Sequence, residues 1–125
     1  MTNNVDVSGG ILNNAGEMTA QITMNAGADS SLVNNTGTIN KIVQNAGVFN
    51  NSGSVTGRMM SAGGVFNNQT DGAIMRGAAL TGTAVANNEG TWNLGSSSEG
   101  NNTGMLEVNN NSAFNTRGEF ILAND

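Results

Sequence analysis

The chain has 125 residues, with nine acidic and four basic side chains that give a formal net charge of −5. It contains no Cys, His or Pro, which excludes thiol nucleophiles, His-based catalytic sets, Cys/His zinc sites and disulfides. No apolar run approaches the roughly 20 residues that a membrane helix requires. Asn, Gly, Thr and Ser supply about half of the chain, which is typical of disorder, of aggregating low-complexity sequence or of a repeat fold.

A short repeat runs through the chain from Gly9 to Phe120. Gly is followed two residues later by an apolar residue, and Asn often stands two residues before the Gly, so that Asn-x-Gly-x-apolar recurs about every ten residues. The clear exception is Gly27, where Asp29 takes the apolar position. Disordered sequence does not hold such a phase, so the pattern predicts a repeat protein.

A longer period is also present, because an apolar residue followed by Asn-Asn recurs at intervals of about 16 to 22 residues. It occurs at Leu12, Val33, Phe49, Phe66 and Val108, with a weaker fit at Ala86. Such intervals are too short for helical-hairpin repeats, and Gly and Asn interrupt every window before two helical turns accumulate. The intervening segments are rich in β-branched and aromatic residues and predict short strands at 38–43, 48–49, 54–55, 65–66, 83–85, 91–92 and 119–121.

We therefore predict an all-β fold, a right-handed parallel β-helix (β-solenoid) of about six irregular rungs, each of roughly 16–22 residues. Gly and Asn would supply positive-φ corners, and Asn side chains at matching corners would stack as a ladder of amides. The apolar residue after Gly would point inward, so we expect burial of Ile39, Phe49, Val55, Phe66, Ile74 and Leu106. The alternatives are an antiparallel all-β fold and an amyloid-forming chain that is unfolded in isolation.

The ends of the repeat lack the features of capping units. The pattern reaches Ile11 almost at once and closes with Gly118–Leu122, without an amphipathic helix or a cluster of charges to cover an open end. We expect residues 1–125 to form a single solenoid segment that belongs to a longer repetitive protein or stacks end to end with copies of itself.

The segments VNNTGTI (33–39) and FNNSGSVTG (49–57) resemble the passenger repeats of type V secreted bacterial surface proteins. These include autotransporters and filamentous-haemagglutinin-like adhesins, and the resemblance covers about residues 9–121. It implies a β-helix that is exported to the cell surface and serves in adhesion, aggregation or host contact. The chain departs from the family in its drifting rung length, and no translocator or secretion domain is recognisable in it, which leaves the export route open.

We predict no catalytic, cofactor-binding or metal-binding residues. Some β-helix enzymes act on polysaccharides through carboxylates that cluster on one face, but here no two carboxylates lie within five residues of each other. Stacking alone would bring them together, and Glu107 and Glu119 are the pair that adjacent rungs would align. Solvated positions that confer solubility are the favoured interpretation. The Gly-Gly pairs at 9–10 and 63–64 do not lead into calcium-binding nonapeptide repeats.

Other unusual residues have structural explanations. Asp29 indicates a loop that bulges out of a rung at 27–31, in preference to a ligand site. Trp92 follows Gly90 in the apolar position, so we expect it in the core and not on the surface as a platform for sugars. Met59–Met60 and Met75 are expected to fill the core.

The basic residues Lys41, Arg58 and Arg76 are spaced by about one rung and are expected to form a short vertical stripe. Three charges on an acidic chain are too few to bind nucleic acid, so the stripe is expected to balance acidic neighbours such as Asp71. The tripeptides Thr36-Gly-Thr38 and Thr81-Gly-Thr83 match ice-binding arrays, but two isolated copies do not form a regular array.

We expect a non-enzymatic, extracellular structural or adhesive β-solenoid of a bacterial surface protein, a stalk or an adhesion surface without cofactors. Its partners would be neighbouring repeats, copies of itself, or a glycan or protein on a host or bacterial cell, with no nucleic acid and no membrane insertion. The alternative is a self-assembling fibre or biofilm-matrix subunit that stacks end to end. A polysaccharide-active β-helix enzyme and an ice-binding solenoid are less favoured.

Overall fold

The structure is a computed structural model that describes residues 4–25, 31–93, 106–109 and 111–121. Within these ranges the chain is all-β, without helix, and every strand pairing is parallel. In chain order the strands are β1 (Val5–Val7), β2 (Ile11–Asn14), β3 (Glu17–Met24), β4 (Leu32–Asn35), β5 (Thr38–Gln44), β6 (Val48–Asn51), β7 (Ser54–Val55), β8 (Met59–Ser61), β9 (Val65–Asn68), β10 (Ala73–Ile74), β11 (Ala78–Leu80), β12 (Val85–Asn88), β13 (Thr91–Asn93), β14 (Leu106–Val108), β15 (Ala113–Thr116) and β16 (Glu119–Ile121).

The strands coil into rungs that stack along one axis. One sheet has six strands, one from each of six successive rungs: β2, β4, β6, β9, β12 and β15. The remaining strands form a ten-stranded second sheet. Four consecutive rungs, from Ile11 to Leu80, are described with all of their strands. The predicted parallel β-solenoid is therefore confirmed, and its right hand stays a prediction.

Rung length follows from the register of the six-stranded sheet. Its strands begin at Ile11, Leu32, Val48, Val65, Val85 and Ala113, so successive rungs span 21, 16, 17, 20 and 28 residues. The predicted 16–22 residues hold for the first four intervals and fail for the last, where the chain between β13 and β14 lengthens the rung. Val108 does not open a new rung, because Phe114 pairs with Ala86 in that position and Val108 pairs with Leu80.

The glycine-led units supply two inward-facing rows of the core, one on each sheet, and Ile22, Ile42, Met59 and Ala78 form a third row on the ten-stranded sheet. On the six-stranded sheet the row consists of Leu12, Val33, Phe49, Phe66, Ala86 and Phe114. On the other sheet it consists of Met18, Ile39, Val55, Ile74, Trp92 and Phe120. Each rung thus contributes two glycine-led units, which explains a repeat of about ten residues inside a rung about twice as long.

Five of the six residues predicted to be buried are fully buried: Ile39, Phe49, Val55, Phe66 and Ile74. The expectation for Leu106 is wrong in part, since Leu106 packs only partly against the core. Leu106 pairs with Ala78 on β11. Because β14 is an edge strand of the ten-stranded sheet, Leu106 has a neighbouring strand on one side only. The same end position leaves Val108 45% exposed.

Trp92 lies in the core, as predicted, with 0% exposure. Its ring centroid is 5.9 Å from that of Phe66 and 4.9 Å from that of Phe114. These two phenylalanines flank Ala86 in the six-stranded sheet, where the small side chain leaves space that the indole fills. The large side chain of Trp92 on the ten-stranded sheet therefore compensates for the small side chain of Ala86 on the six-stranded sheet.

The methionines divide between core and surface. Met59 is fully buried, as predicted, but Met60 is 53% exposed and Met75 is 40% exposed, so the expectation for these two is wrong. Met60 follows Met59 on β8, and successive side chains on a strand point to opposite faces. Met75 lies in the corner between β10 and β11. The predicted bulge at 27–31, including Asp29, falls mainly on residues outside the described ranges.

The glycines serve the fold in two different ways. Gly47 and Gly64, which directly precede β6 and β9, have φ of 83° and 78° and form the predicted positive-φ corners. Gly53 and its equivalent Gly37 do not have positive φ. A Cβ built on Gly53 would collide with the carbonyl oxygen of Gly37, one rung away. At this second corner glycine is needed because the rungs approach so closely.

Replacement of Gly53 by Ala should lower the free energy of unfolding by about 1–3 kcal/mol or more, because the added methyl group forces two rungs apart. Gly16→Ala is the matched control, since a Cβ at Gly16 meets nothing within 4 Å. Its effect should stay within about 0.5 kcal/mol. Urea unfolding followed by far-UV circular dichroism measures both, and equal losses would contradict the steric explanation.

Candidate functional surface

The outward face of the six-stranded sheet carries a continuous ladder of asparagine amides. The third residue of each strand in this sheet is Asn, and each Nδ2 donates to the Oδ1 of the Asn one rung nearer the N-terminus. The bonds join Asn34 to Asn13, Asn50 to Asn34, Asn67 to Asn50, Asn87 to Asn67 and Asn115 to Asn87, at 3.0–3.1 Å. We call this row the outer ladder.

A second ladder lies at the end of the same strands, at their fourth residue, and we call it the inner ladder. Here each Nδ2 donates toward the C-terminus, from Asn14 to Asn35, Asn35 to Asn51, Asn51 to Asn68 and Asn68 to Asn88, each at 2.8 Å. Asn88 ends the row by donating to the Thr116 hydroxyl oxygen at 3.0 Å. The predicted amide ladder is confirmed, and the structure adds a second one with the opposite polarity.

The inner ladder is a buried polar network that satisfies its own groups. Asn51 and Asn68 are fully buried. The Asn51 amide nitrogen also contacts the Gly53 carbonyl oxygen at 3.1 Å, and the Asn68 nitrogen contacts the Thr91 carbonyl oxygen at 3.0 Å. Burial of an amide is costly unless it is hydrogen-bonded, and Asn carries both a donor and an acceptor, so the chain of bonds can pass through every rung.

Three of the four basic residues line one groove beside the β5 and β8 strands. Lys41, Arg58 and Arg76 come together there, which confirms the predicted stripe. The groove has a volume of about 540 Å³, and none of the described residues that line it is acidic. The expected partner Asp71 lies in the turn between β9 and β10 and does not line the groove.

The strand register separates three of the carboxylates in the described part of the chain. Glu17 and Glu119 share an outward row, but Thr38, Ser54, Ala73 and Thr91 lie between them. Five steps of about 4.8 Å place them roughly 24 Å apart, far beyond the ~5–9.5 Å of glycosidase carboxylates. The register also separates Glu107 from Glu119, since Glu107 pairs with Ala79 and Glu119 pairs with Thr91.

No group of three or more metal-ligating side chains occurs among the described residues. The two Thr-x-Thr tripeptides do not extend into a threonine array in this part of the structure either. Thr38 is followed along its row by Ser54 and Ala73, and 81–83 lies in a corner between β11 and β12.

Sequence reasoning missed two surface features. One is the outward row of Leu32, Val48, Val65 and Val85 at the first position of the sheet strands, which alternation along each strand would have revealed. The other is an open groove of about 590 Å³ beside β12 and β15, lined by residues that include Asn87, Glu89, Phe114 and Arg117. Its residues come from three rungs of unequal length, so no sequence spacing indicates it.

The comparisons with known proteins give no relative: no protein family, no curated protein and no solved structure matches this chain. The described part of the fold also holds no helix of the length and apolar character that crossing a membrane requires.

The ladders predict different responses to two adjacent substitutions. Asn51→Ala removes the Oδ1 that accepts from the Asn35 amide and the Nδ2 that donates to the buried Asn68 Oδ1, so we expect a loss of about 1–3 kcal/mol or more. Asn50→Ala, its neighbour in the half-exposed outer ladder, should cost less than about 1 kcal/mol, since water replaces the lost bonds. Chemical unfolding of both variants tests this, and an equal or reversed order would contradict the distinction between the ladders.

Proposed function

We propose that this chain is a non-enzymatic structural and adhesive segment of a bacterial surface protein, and that it acts outside the cell as a stalk or an adhesion surface. The observation that carries the proposal is the pair of amide ladders, which tie every rung of the six-stranded sheet to the next. Bonds of this kind lie along the axis and supply stiffness over length.

The surface supports the same proposal. Each rung adds about 4.8 Å of length and repeats the same outward rows, so the solenoid offers a long surface for its number of residues. A repeated surface can bind a repetitive partner at several points at once, and several weak contacts together give firm attachment.

The sequence supports an extracellular location. The segments 33–39 and 49–57 resemble type V passenger repeats, and the chain lacks Cys and is only 10% charged. A solenoid can also begin folding at any rung and propagate from it, which suits a protein that leaves the cell unfolded.

The test is adhesion of the isolated chain. Beads coated with the purified protein should attach to epithelial or bacterial cell layers several-fold more often than beads coated with serum albumin. Beads coated with the Gly53→Ala variant serve as the control for attachment by an unfolded chain. This variant is first heated until its β-type far-UV circular dichroism signal is lost. Attachment no greater than that of albumin beads, on both cell types, would contradict the adhesive role.

A second candidate function is a fibre subunit that stacks end to end, and the polarity of the ladders favours it. The outer ladder presents the amide group of Asn13 at its first rung and the carbonyl of Asn115 at its last described rung. These groups are complementary, so a second copy stacked in register would continue the ladder. Phe114 and Phe120, on the last described rung, are only partly buried, and a stacked second copy would bury them further.

Sedimentation velocity over a hundredfold range of concentration distinguishes the fibre from a monomeric stalk. End-to-end stacking predicts rods whose length increases with concentration, and Phe114→Lys should shorten them by placing a charge on the stacking surface. A monomer at every concentration would eliminate the fibre candidate and leave the stalk or adhesion surface.

A further inference from the structure

The groove beside β12 and β15 has the volume of a ligand site. Its volume of about 590 Å³ lies within the ~300–1,000 Å³ that is usual for ligand pockets. Asn67, Asn87 and Asn115 of the outer ladder line it on three successive rungs, and Glu89 and Arg117 line it just beyond the ends of β12 and β15. We call it the amide groove.

The outer ladder uses only part of the hydrogen-bonding capacity of these amides. Asn87 Nδ2 donates to Asn67 Oδ1, and Asn87 Oδ1 accepts from Asn115 Nδ2, both at 3.0 Å. A side-chain amide has two N–H groups and two acceptor lone pairs, and the ladder occupies one of each. Asn87 therefore retains a donor and an acceptor for a further partner, and the ladder repeats this pair of groups about every 4.8 Å.

The end of the amide groove carries one charge of each sign. Asn88 pairs with Thr116, so the residues that follow them, Glu89 and Arg117, are equivalents on adjacent rungs about 4.8 Å apart. Both side chains are exposed. Their formal charges cancel, but their hydrogen-bonding roles stay distinct, since a carboxylate accepts and a guanidinium donates. Thr116 adds a hydroxyl that accepts from the Asn88 amide at 3.0 Å and keeps its own hydrogen to donate.

This lining selects the class of ligand. Arg117 would lie beside a bound cation and Glu89 beside a bound anion, so either ion would meet a like charge. An apolar ligand would cover the amides without offering them partners, which is costly. A hydroxyl group both donates and accepts, so a ligand with several hydroxyls can pair with the amides, the carboxylate and the guanidinium together. Neutral sugars have this chemistry.

We infer that the amide groove binds a neutral polysaccharide that lies along the solenoid axis. Glu89 accepts from sugar hydroxyls, Arg117 donates to sugar oxygens, and the amides of Asn87 and Asn115 bond the next ring. The inference rests on the proposed adhesive function and names the ligand class for one surface of it. Since the outer ladder continues to Asn13, a long polymer meets the same amide on each further rung, and weak contacts add up.

The experiment measures binding of the purified chain to immobilised dextran, mannan and galactan by biolayer interferometry, with polygalacturonate as the acidic comparison. We expect binding to at least one of the neutral polymers and weaker binding to polygalacturonate. The affinity for the neutral polymer should persist as NaCl rises from 50 to 500 mM, because salt screens long-range charge and a neutral ligand has none. The free monosaccharide of the bound polymer should compete at high concentration.

Substitutions locate the site. Glu89→Gln and Arg117→Gln should each weaken binding by about tenfold, in line with the loss of one charge-assisted hydrogen bond. Glu17→Gln is the matched control, because Glu17 is also an exposed glutamate but lies on the ten-stranded sheet, outside the amide groove. It should change the affinity less than about twofold, as expected for a distant charge on a screened surface. Unchanged thermal melting shows that each variant folds.

Three outcomes would overturn the inference: no binding to any of the neutral polymers, an equal loss with Glu17→Gln, or tighter binding to polygalacturonate than to all of them. The result is separable from the bead assay. Polymer binding without bead attachment would retain the site and remove the adhesive role. Bead attachment that survives in the Glu89→Gln/Arg117→Gln double variant, without polymer binding by the parent chain, would retain adhesion and remove the site.

Discussion

The structure depends on one constraint: parallel strands stack in register at a fixed spacing of about 4.8 Å, so each side chain faces its own equivalents one rung away. A residue type is suitable only if it tolerates a neighbour like itself. Asn meets this condition because its amide both donates and accepts. Gly meets it at Gly37 and Gly53, where any side chain would collide with the backbone of the preceding rung. Phe49 and Phe66 meet it by stacking their rings, with centroids 4.9 Å apart.

The same constraint explains why charge is scarce. A charged residue that repeated in every rung would face a like charge about 4.8 Å away, which destabilises a sheet. In the outward row that begins with Glu17 and ends with Glu119, the four intervening positions are neutral. The two amide ladders follow a related logic, because their donors point in opposite directions along the axis and their dipoles oppose each other.

Variation between rungs lies outside the six-stranded sheet. The six-stranded sheet keeps four paired residues in every rung, while rung length ranges from 16 to 28 residues. Between Met18 and Gln21 the register shifts against the next rung, and strand pairing resumes immediately afterwards. The cationic groove lies along the ten-stranded sheet, where Asn40 and Lys41 belong to β5 while Thr56 and Gly57 lie between β7 and β8. The six-stranded sheet is therefore the constant part of the rod, and the ten-stranded sheet and the corners carry what is specific to each rung.

The sequence by itself determined the class of fold, the period of most rungs, the amide ladder and the burial of residues such as Ile39 and Phe66, because these follow from local pattern and from the need for equivalents to stack. It also determined that Lys41, Arg58 and Arg76 would align, since one rung separates them. Only the tertiary structure decided which strand of which sheet each ten-residue unit pairs with. The unit of Leu106 resembles the others, yet it pairs with β11, and the next strand of the six-stranded sheet begins only at Ala113. Trp92 fills the space beside Ala86 through contacts between the two sheets, and the groove around the cations is lined by residues of several rungs. A period along the chain does not encode such contacts.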